Sequence, residues 1–246
     1  MSDGIWSALS GAVGQLTALD IAANNVANVS TPGYRADHLV FREVLGKATA
    51  AKGRPSPGMN YSSVGNVLAD QSQGTVVQTG RPLDTAIRGN GYFVISTPRG
   101  ERYTRMGSFE VARDGTLTTR EGAPLIGVDL RRIKLPQGAT DVRIGADGTV
   151  QVAGQPSGQL LTVSFPGKSP LEKEGAVLFR RAQGAAAPVP TPAILEPGAL
   201  EQSNMSAVTG MMDIVGASRS FDACQRVIDA FRDADRRAAM NIAAKV

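Results

Sequence analysis

The N-terminal segment from Ile5 to Val29 constrains the fold of this chain more than any other stretch of the sequence. Its apolar or small residues recur in alternating steps of four and three, which is the spacing of a helix that packs along one seam and not the alternation of a strand. The positions of this seam are Ile5, Leu9, Ala12, Leu16, Leu19, Ala23 and Val26. We therefore predict a long helix that buries this seam against other helices.

The rest of this helix carries almost no charge. Off the seam the residues are mostly Ser, Ala, Gly, Thr, Val and Asn, and Asp20 is the only charged one. A solvated helix face normally carries Lys and Glu, so small uncharged residues on several sides predict close neighbours on several sides. We infer that these neighbours are other copies or related chains, while a core helix packed inside its own chain stays an open alternative. A membrane span and a cleaved secretion signal are disfavoured, because Ser10, Gln15 and Asn24 interrupt the apolar run and no Lys or Arg precedes Arg35.

A second long helix is predicted at the C-terminus. Ser203 or Asn204 can cap its start, and apolar residues then recur at steps of three and four. The positions of this second seam are Met211, Ile214, Ala217, Phe221, Cys224, Ile228, Phe231, Ala234, Ala238 and Ile242. We predict that the two terminal helices pair as a coiled coil and that their seams form an assembly interface.

The middle of the chain has the pattern of β structure. Short β-branched or aromatic runs lie between about residues 61 and 179. The dipeptides that separate them and favour hairpin turns are Asn90-Gly91, Arg99-Gly100, Asp114-Gly115 and Asp147-Gly148. Two of these turns lie in an internal repeat, because residues 109–117 resemble residues 142–150. The predicted fold class is α+β, with N- and C-terminal helices paired as a coiled coil and a central antiparallel all-β domain.

The boundaries between these parts follow from Pro, Gly and small residues. Pro32 cannot continue the first helix, and Gly33 after it can take the positive φ of a type II turn. The expected divisions are an N-terminal helix at 1–30, a turn and linker at 31–60, the β domain at 61–181, a Pro/Ala-rich linker at 182–202 and the C-terminal helix at 203–246.

Composition argues against several functional classes. The 26 basic and 22 acidic residues give a net charge of +4 that is spread along the chain, and aromatic residues make up only 5%, so nucleic-acid binding is not indicated. One cysteine, Cys224, excludes an intrachain disulfide and a cysteine-based zinc site, and one histidine, His38, leaves little for a catalytic base. Acidic pairs such as Asp213 with Asp222 have a spacing typical of solvated helix faces. We predict no catalytic residue, no cofactor and no metal, and an enzyme is a remote alternative.

Five motifs, in order along the chain, resemble those of bacterial flagellar basal-body rod and hook proteins. They are ANNVANVSTPGY at 23–34, TGRPLDTAIRGNGYF at 79–93, YTRMGSF at 103–109, GALEQSNM at 198–205 and RSFDACQRVI at 219–228. The family positions carried over from the first motif are Asn24, Asn25, Asn28, Thr31, Pro32, Gly33 and Tyr34. The motifs span nearly the whole chain, and their joint occurrence in this order is highly specific. Phe231 and Arg232 depart from the family pattern, in which a small and an acidic residue are usual.

The resemblance implies a non-enzymatic structural subunit of the flagellar rod. Proteins of this family polymerise through their terminal helices into a tube that transmits torque and encloses the export channel, with the β domain outside. The implied partners are other copies of the chain, neighbouring rod proteins and the flagellar type III export apparatus, with no nucleic acid and no lipid-embedded segment. The implied location is the basal body, where the rod spans the periplasm after export without a cleaved signal. The compact linker after the first helix favours the proximal over the distal rod, and a rod-associated adaptor is an alternative of another class.

Overall fold

The computed structural model describes residues 2–45, 60–166 and 171–243. The chain divides into two compact units. The first, here called the helical unit, contains residues 1–27, 37–68 and 206–246, and the second, the β unit, contains residues 28–36 and 69–205. Both ends of the chain therefore belong to the same unit.

Two long helices and one β-ribbon form the helical unit. Helix α1 spans Ser2–Ala27 and helix α2 spans Ala207–Ala243, and a rise of about 1.5 Å per residue makes them about 39 Å and about 55 Å long. Strands β1 (Asp37–Leu45) and β2 (Asn60–Ala69) pair with each other. The prediction of a long helix at each end is confirmed. Of the turn and linker expected at 31–60, residues 37–45 form a strand, and residues 46–59 lie outside the described residues.

Short antiparallel strands form the β unit. In chain order they are β3 (Val76–Gln78), β4 (Thr85–Arg88), β5 (Tyr92–Thr97), β6 (Gly100–Thr104), β7 (Phe109–Val111), β8 (Leu117–Thr119), β9 (Val142–Ile144), β10 (Thr149–Val152), β11 (Gln155–Gln159), β12 (Thr162–Ser164), β13 (Leu171–Glu174), β14 (Leu178–Arg181), β15 (Val189–Pro190), β16 (Ile194–Pro197) and β17 (Ala199–Glu201). One sheet has the order β13-β14-β6-β5-β12-β15 and another the order β11-β10-β9, and the remaining strands pair as β16-β4, β17-β3 and β7-β8. The prediction of a central antiparallel β region is confirmed.

Strand β5 contributes to two hydrophobic clusters. Because neighbouring residues of a strand point to opposite faces, Phe93 and Ile95 lie in one cluster and Tyr92 and Val94 in the other. In the first cluster the rings of Phe93 and Phe109 meet edge to face, with centroids 5.2 Å apart. Other buried members of that cluster are Leu117, Leu125, Val150 and Leu195.

The internal repeat seen in the sequence is a repeated turn. In both Asp-Gly-Thr segments, at 114–116 and 147–149, the aspartate Oδ1 accepts the threonine N–H at 3.0 Å, and Oδ2 accepts the threonine hydroxyl at 2.8 Å and 2.7 Å. The glycines have φ of +80° and +81°, which favours glycine at both positions. Hydrogen bonds from the threonine lower the pKa of each aspartate, chiefly from the backbone N–H in the first repeat and from the hydroxyl in the second. The two turns join β7 to β8 and β9 to β10, as the hairpin prediction required.

Two local expectations differ from the structure. Asn90-Gly91 does not form a hairpin turn, because β4 pairs with β16 and not with the following strand β5. Within the range expected to be a Pro/Ala-rich linker, residues 194–197 form β16 and residues 199–201 form β17, and Leu195 is buried in the core. Proline is tolerated on edge strands and at strand ends, so a Pro-rich composition did not exclude these strands.

Candidate functional site

Helix α1 packs against α2 through small residues. A β-carbon placed on Gly11 would lie 3.5 Å from Sγ of Cys224, so the two helices approach each other closely at this point. A cavity of about 410 Å³ in the same unit is lined by Ala22 of α1 and Ala217 of α2, which are both buried. Since Gly11 precedes Ala22 whereas Cys224 follows Ala217, the two helices run in opposite directions.

The seam predicted for α2 contains most of the less exposed residues of that helix. Ala217 is buried, and the half-buried seam positions are Ile214, Phe221, Cys224, Ile228 and Phe231. Met211, by contrast, exposes 58% of its surface. The side chain of Ile242 lies outside the described residues. That these positions also contact other chains stays a prediction.

The seam predicted for α1 divides between two faces of the helix. Within the chain, the more buried seam positions are Ile5, Ala12, Leu19 and Val26, and the exposed ones are Leu9, Leu16 and Ala23. The contact face toward α2 is therefore shifted from the predicted seam, because other small residues such as Gly11 and Ala22 take part in it. Contact between this seam and neighbouring chains stays a prediction as well.

An exposed apolar stripe runs along α1. Trp6, Leu9, Val13 and Leu16 recur at steps of three, four and three, which places them on one side of the helix. Each of them remains exposed, with fractions of 56%, 43%, 50% and 44%. We call these four residues the exposed α1 stripe. Contiguous exposed apolar residues of this kind mark an interaction surface.

A second apolar surface lies at the start of α2. Val208, Met211, Met212 and Val215 are exposed and line a shallow groove of about 440 Å³. Methionine side chains adapt to partners of different shape, so this composition suits a binding surface. We call these four residues the α2 apolar patch.

Asn25 joins α1 to the ribbon of the helical unit. Its side-chain Nδ2 donates to the carbonyl of Asp37 at 2.9 Å, and its Oδ1 accepts the N–H of Asp37 at 2.9 Å. The amide therefore pairs with β1 in the way that a strand backbone would. Asn25 is buried, so this motif residue contacts its own chain. Asn28 contacts its own chain too, since its Oδ1 lies 3.2 Å from the hydroxyl of Thr31.

Three charged residues meet inside the β unit, two from the motifs at 103–109 and 198–205 and one directly after the first motif. Nη2 of Arg35 lies 2.7 Å from Oε1 of Glu201, and Nη1 of Arg105 lies 3.2 Å from Oε2 of the same carboxylate. All three side chains are almost completely buried, at 3% exposure or less. We call Arg35, Arg105 and Glu201 the motif cluster. Burial lowers the pKa of Arg105, and the charge of Glu201 opposes that shift.

Backbone contacts around the motif cluster tie the same segments together. The N–H of Gly33 donates to the carbonyl of Glu201 at 2.8 Å, and the N–H of Gly74 donates to Oε1 of Glu201 at 3.0 Å. Gly33 has a φ of +72° and follows Pro32 in a turn closed by a 3.2 Å bond from the N–H of Tyr34 to the carbonyl of Thr31, so the predicted turn with positive φ is confirmed.

Asn204 belongs to this network and not to the start of a helix. Its Oδ1 accepts the N–H of Ala36 at 2.8 Å, and its Nδ2 donates to the carbonyls of Asp70 and Ser72 at 3.2 Å and 3.1 Å. Ser203, the other predicted cap, accepts the N–H of Met205, and α2 begins only at Ala207. The cap prediction is therefore wrong, because the polar side chains before α2 are used by the β unit.

Two aromatic residues complete the surroundings of the cluster. Tyr34 is buried, and Nζ of Lys173 lies 3.8 Å from the centre of its ring while donating to the carbonyl of Arg35. The guanidinium carbon of Arg105 lies 5.2 Å from the centre of the Tyr92 ring. Burial raises the pKa of Tyr92, and the nearby charge of Arg105 opposes the shift. One carboxylate faces two guanidinium groups, and the arrangement holds chain segments in place.

Comparison with known proteins agrees with these motifs. Family descriptions match at residues 5–35 ("Flagella basal body rod protein"), 86–152 ("Flagellar hook protein FlgE/F/G D1 domain") and 196–242 ("Flagellar basal body rod FlgEFG protein C-terminal"). The chain is 33% identical to the flagellar basal-body rod protein FlgF of Escherichia coli, over 97% of each chain. It is 32% identical to FlgG of Bacillus subtilis, over 91% of this chain and 93% of that one.

The chain belongs to the flagellar basal-body rod protein family. The rod protein FlgF of Caulobacter vibrioides is 30% identical over 89% of each chain. Relatives named FlgF and FlgG are thus similarly close, and the identities do not separate a proximal from a distal rod protein. The expectation of a flagellar rod protein is confirmed at the level of the family.

The family matches and the motif cluster coincide in this rod protein. Arg35 is the last residue of the N-terminal match, Arg105 lies in the central match, and Glu201 lies in the C-terminal match. The three matched regions are therefore joined through one buried carboxylate. The sequence motifs alone did not indicate this cluster, although Arg105 and Glu201 lie in two of them and Arg35 follows the first. The available signal was Glu201, the single glutamate of the five motifs, because a buried charge needs opposite partners.

Two further observations concern the described part of the rod protein. No helix there is both long enough and apolar enough to cross a membrane. No group of three or more His, Cys, Asp or Glu side chains within residues 2–45, 60–166 and 171–243 is arranged to hold a metal ion.

Proposed function

We propose that the chain is a structural subunit of the flagellar rod and that it polymerises through its two terminal helices. The exposed α1 stripe carries this proposal. One face of α1 is covered by α2, and another still presents four large apolar residues at helical spacing. An isolated subunit gains nothing from that exposure, whereas a subunit in a helical tube buries the stripe against its neighbours. The α2 apolar patch provides a second surface of the same kind.

The size of the stripe favours a polymer over a simple dimer. Complete burial of a half-exposed apolar side chain stabilises association by about 1 kcal/mol, so four such side chains supply roughly 4 kcal/mol before the cost of ordering. Association costs about 4 kcal/mol or more in lost translational and rotational freedom, so a contact of this size alone leaves little net free energy. Stable association therefore requires several such contacts on each subunit at once.

The pairing of α1 with α2 as an antiparallel coiled coil is part of the same proposal. The close approach of Gly11 to Cys224 and the half-buried seam of α2 support it. Of the two positions that depart from the family pattern, Phe231 is half-buried on this seam, and Arg232 is exposed and lies 3.7 Å from Asp229. An exposed ion pair of this type contributes little, so Phe231 is the departure that bears on packing.

Position and export are proposed from the family relationship. We propose a proximal position in the rod, which the match to FlgF of Escherichia coli over 97% of both chains supports. The proposal also includes secretion through the flagellar type III apparatus and location in the periplasmic part of the basal body. There the chain transmits torque without enzymatic activity. Photocrosslinking from position 13 in cells, with the crosslinked neighbours identified by mass spectrometry, tests the position. Neighbours restricted to distal rod and hook proteins would contradict it.

The single tryptophan of the chain makes the assembly proposal directly testable. Trp6 lies in the exposed stripe, so its emission reports on burial of that stripe. We expect the emission to shift to shorter wavelength when the full-length protein polymerises. Leu16→Asp places a charge in the stripe and should abolish both the shift and sedimentable polymer while leaving the β unit folded.

Leu16→Met is the matched control, because it keeps an apolar side chain of similar volume at the same position. It should polymerise like the unmodified chain. Polymers in which Trp6 stays as exposed as in the monomer would contradict the proposal. Normal assembly of the Leu16→Asp variant, or normal motility of cells that depend on it, would do so as well.

A further inference from the structure

A strained turn in the β unit exposes an apolar side chain. Leu130 has a φ of +60°, a conformation in which the β-carbon of an L residue is crowded, and it exposes 72% of its surface. The turn around it is closed by hydrogen bonds of 2.9 Å from Leu130 N–H to the Gly127 carbonyl and 2.8 Å from Gly127 N–H to the Arg131 carbonyl. Glycine or asparagine would fit this position with less strain. The leucine side chain gains little from its own chain, since most of it faces solvent.

A groove begins beside this turn. It has a volume of about 780 Å³, and residues 128, 129 and 131–134 line one wall while residues 156–159 of β11 line the other. The N–H of Val128 donates to the carbonyl of Gln159 at 3.0 Å and joins the two walls. A β-carbon on Gly158 would lie 3.2 Å from a methyl carbon of Ile133, so the walls are in tight contact below the groove. Strand β11 is the outer strand of its sheet, and an outer strand can pair with an added extended segment.

The lining of the groove carries three positive charges and one negative charge. Arg131, Arg132 and Lys134 are exposed and line it, and none of them forms an ion pair within the described residues. The groove has one acidic lining residue, Asp129, and its Oδ1 already accepts the N–H of Arg131 at 3.1 Å. Elsewhere on the β unit, exposed arginines such as Arg180 do lie against carboxylates.

We propose that this groove binds an extended segment of a partner protein that carries acidic and apolar side chains. The three cations attract the carboxylates. The apolar side chains contact Val128, which lines the groove, and the exposed Leu130, which lies in the chain between the lining residues Asp129 and Arg131. A phosphate polymer would satisfy the cations alone and would leave both apolar side chains in water. The strained leucine therefore favours the protein segment. This contact lies in the β unit and is distinct from the helical surfaces of the proposed rod assembly.

Binding of a labelled peptide to the full-length protein tests the proposal. The probe is a fluorescein-labelled peptide in which Glu alternates with Val and Leu, and its anisotropy is measured as the protein is added. We expect saturable binding that weakens when the salt concentration rises from about 0.05 M to about 0.5 M. A peptide with Lys in place of Glu should not bind, and linear polyphosphate should compete poorly.

Two variants separate the groove from general effects of charge. Arg131→Gln combined with Arg132→Gln should weaken binding about tenfold or more, whereas Arg180→Gln, which removes an exposed charge elsewhere on the β unit, should leave it unchanged. Leu130→Gly should also weaken binding about tenfold while the thermal midpoint of the protein stays the same or rises, because glycine relieves the positive φ. Loss of binding without loss of stability is the result that a purely structural leucine would not give.

The other outcomes each overturn the proposal. Absence of peptide binding, or equal loss in the Arg180→Gln control, would contradict a site at this groove. In one outcome, polyphosphate binds as strongly as the peptide does, with an affinity that Leu130→Gly leaves unchanged. This result would indicate a simple polyanion site. Self-association in sedimentation velocity that disappears in the Arg131 and Arg132 variant would indicate a second copy of the chain as the occupant.

Discussion

Removing the charge of Glu201 is the sharpest test of how this fold is held together. The substitution Glu201→Gln keeps the volume of the side chain and one carbonyl oxygen. It removes the negative charge that lies 2.7 Å from Arg35 and 3.2 Å from Arg105 in a site with almost no solvent exposure. In the unmodified protein the N–H of Gly74 donates to the carboxylate. In the variant, the N–H donors of the new amide group point toward this N–H or toward a guanidinium group.

The expected loss of stability is large because two positive charges lose their partner. Breaking a buried ion pair by removing one member costs about 3–5 kcal/mol, whereas the loss of a neutral hydrogen bond costs about 1–3 kcal/mol. We expect the upper range here. With a urea dependence of about 2 kcal/mol per molar, the unfolding midpoint of the β unit should fall by roughly 2 M.

Urea unfolding followed by near-ultraviolet circular dichroism measures this change, since Tyr34, Tyr92 and Tyr103 are buried in the β unit. Glu196→Gln is the matched control. Glu196 pairs with Arg88, whose side chain is 70% exposed, so its loss should cost less than about 1 kcal/mol. Replacing Arg35 by Met together with Glu201→Gln should recover part of the stability, because one uncompensated charge is removed. Equal losses for Glu201→Gln and Glu196→Gln would refute the reasoning.

Three further changes test local features of the fold. Gly33→Val should destabilise the β unit by about several kcal/mol, as is usual for strained or overpacked positions. The reason is that φ is +72° and a β-carbon would lie 2.4 Å from the N atom of Met106. Unchanged thermal unfolding would contradict this. The hydrogen bond from Arg102 lowers the pKa of Glu174 below its usual 4.5, so stability from this group should be present above pH 4.5 and lost as the pH falls through the lower folded value. Glu174→Gln should reduce that acid dependence in a series of thermal melts, and an unchanged pH profile would count against it. Asp147→Ala removes both hydrogen bonds to the threonine of its turn and should cost about 1 kcal/mol, which amide hydrogen exchange of residue 149 would report as faster exchange.

Local patterns predicted the elements of this fold well. The spacing of apolar residues predicted both terminal helices, and Asp-Gly dipeptides predicted the hairpins of the repeated turn. Each of these features depends on residues that are close in sequence, so a short window contains the cause. The pairing of β4 with β16 was missed, because its two strands are distant in sequence and the second contains proline.

The candidate sites were predicted less completely. The motif containing Gly33 and Tyr34 was recognised, but the carboxylate that binds its neighbour Arg35 lies in a motif near the other end of the chain. Asn204 looked like a helix cap because a short polar side chain before an apolar helical pattern usually is one. Its actual partners are backbone groups of the β unit, including those of Ala36 and Asp70, which no local pattern identifies.

The sequence by itself determined that α1 is a helix, that it ends before the turn at Pro32 and Gly33, and that its surface is too poor in charge for a solvated helix. Only the tertiary structure decided which face of α1 is covered. Small or apolar residues occupy several faces of this helix, so more than one register satisfies the helical spacing. The position of α2 against Gly11 selects one of them and leaves Trp6, Leu9, Val13 and Leu16 exposed. Burial depends on the neighbour that the rest of the chain places there, and the helical sequence alone does not contain that neighbour.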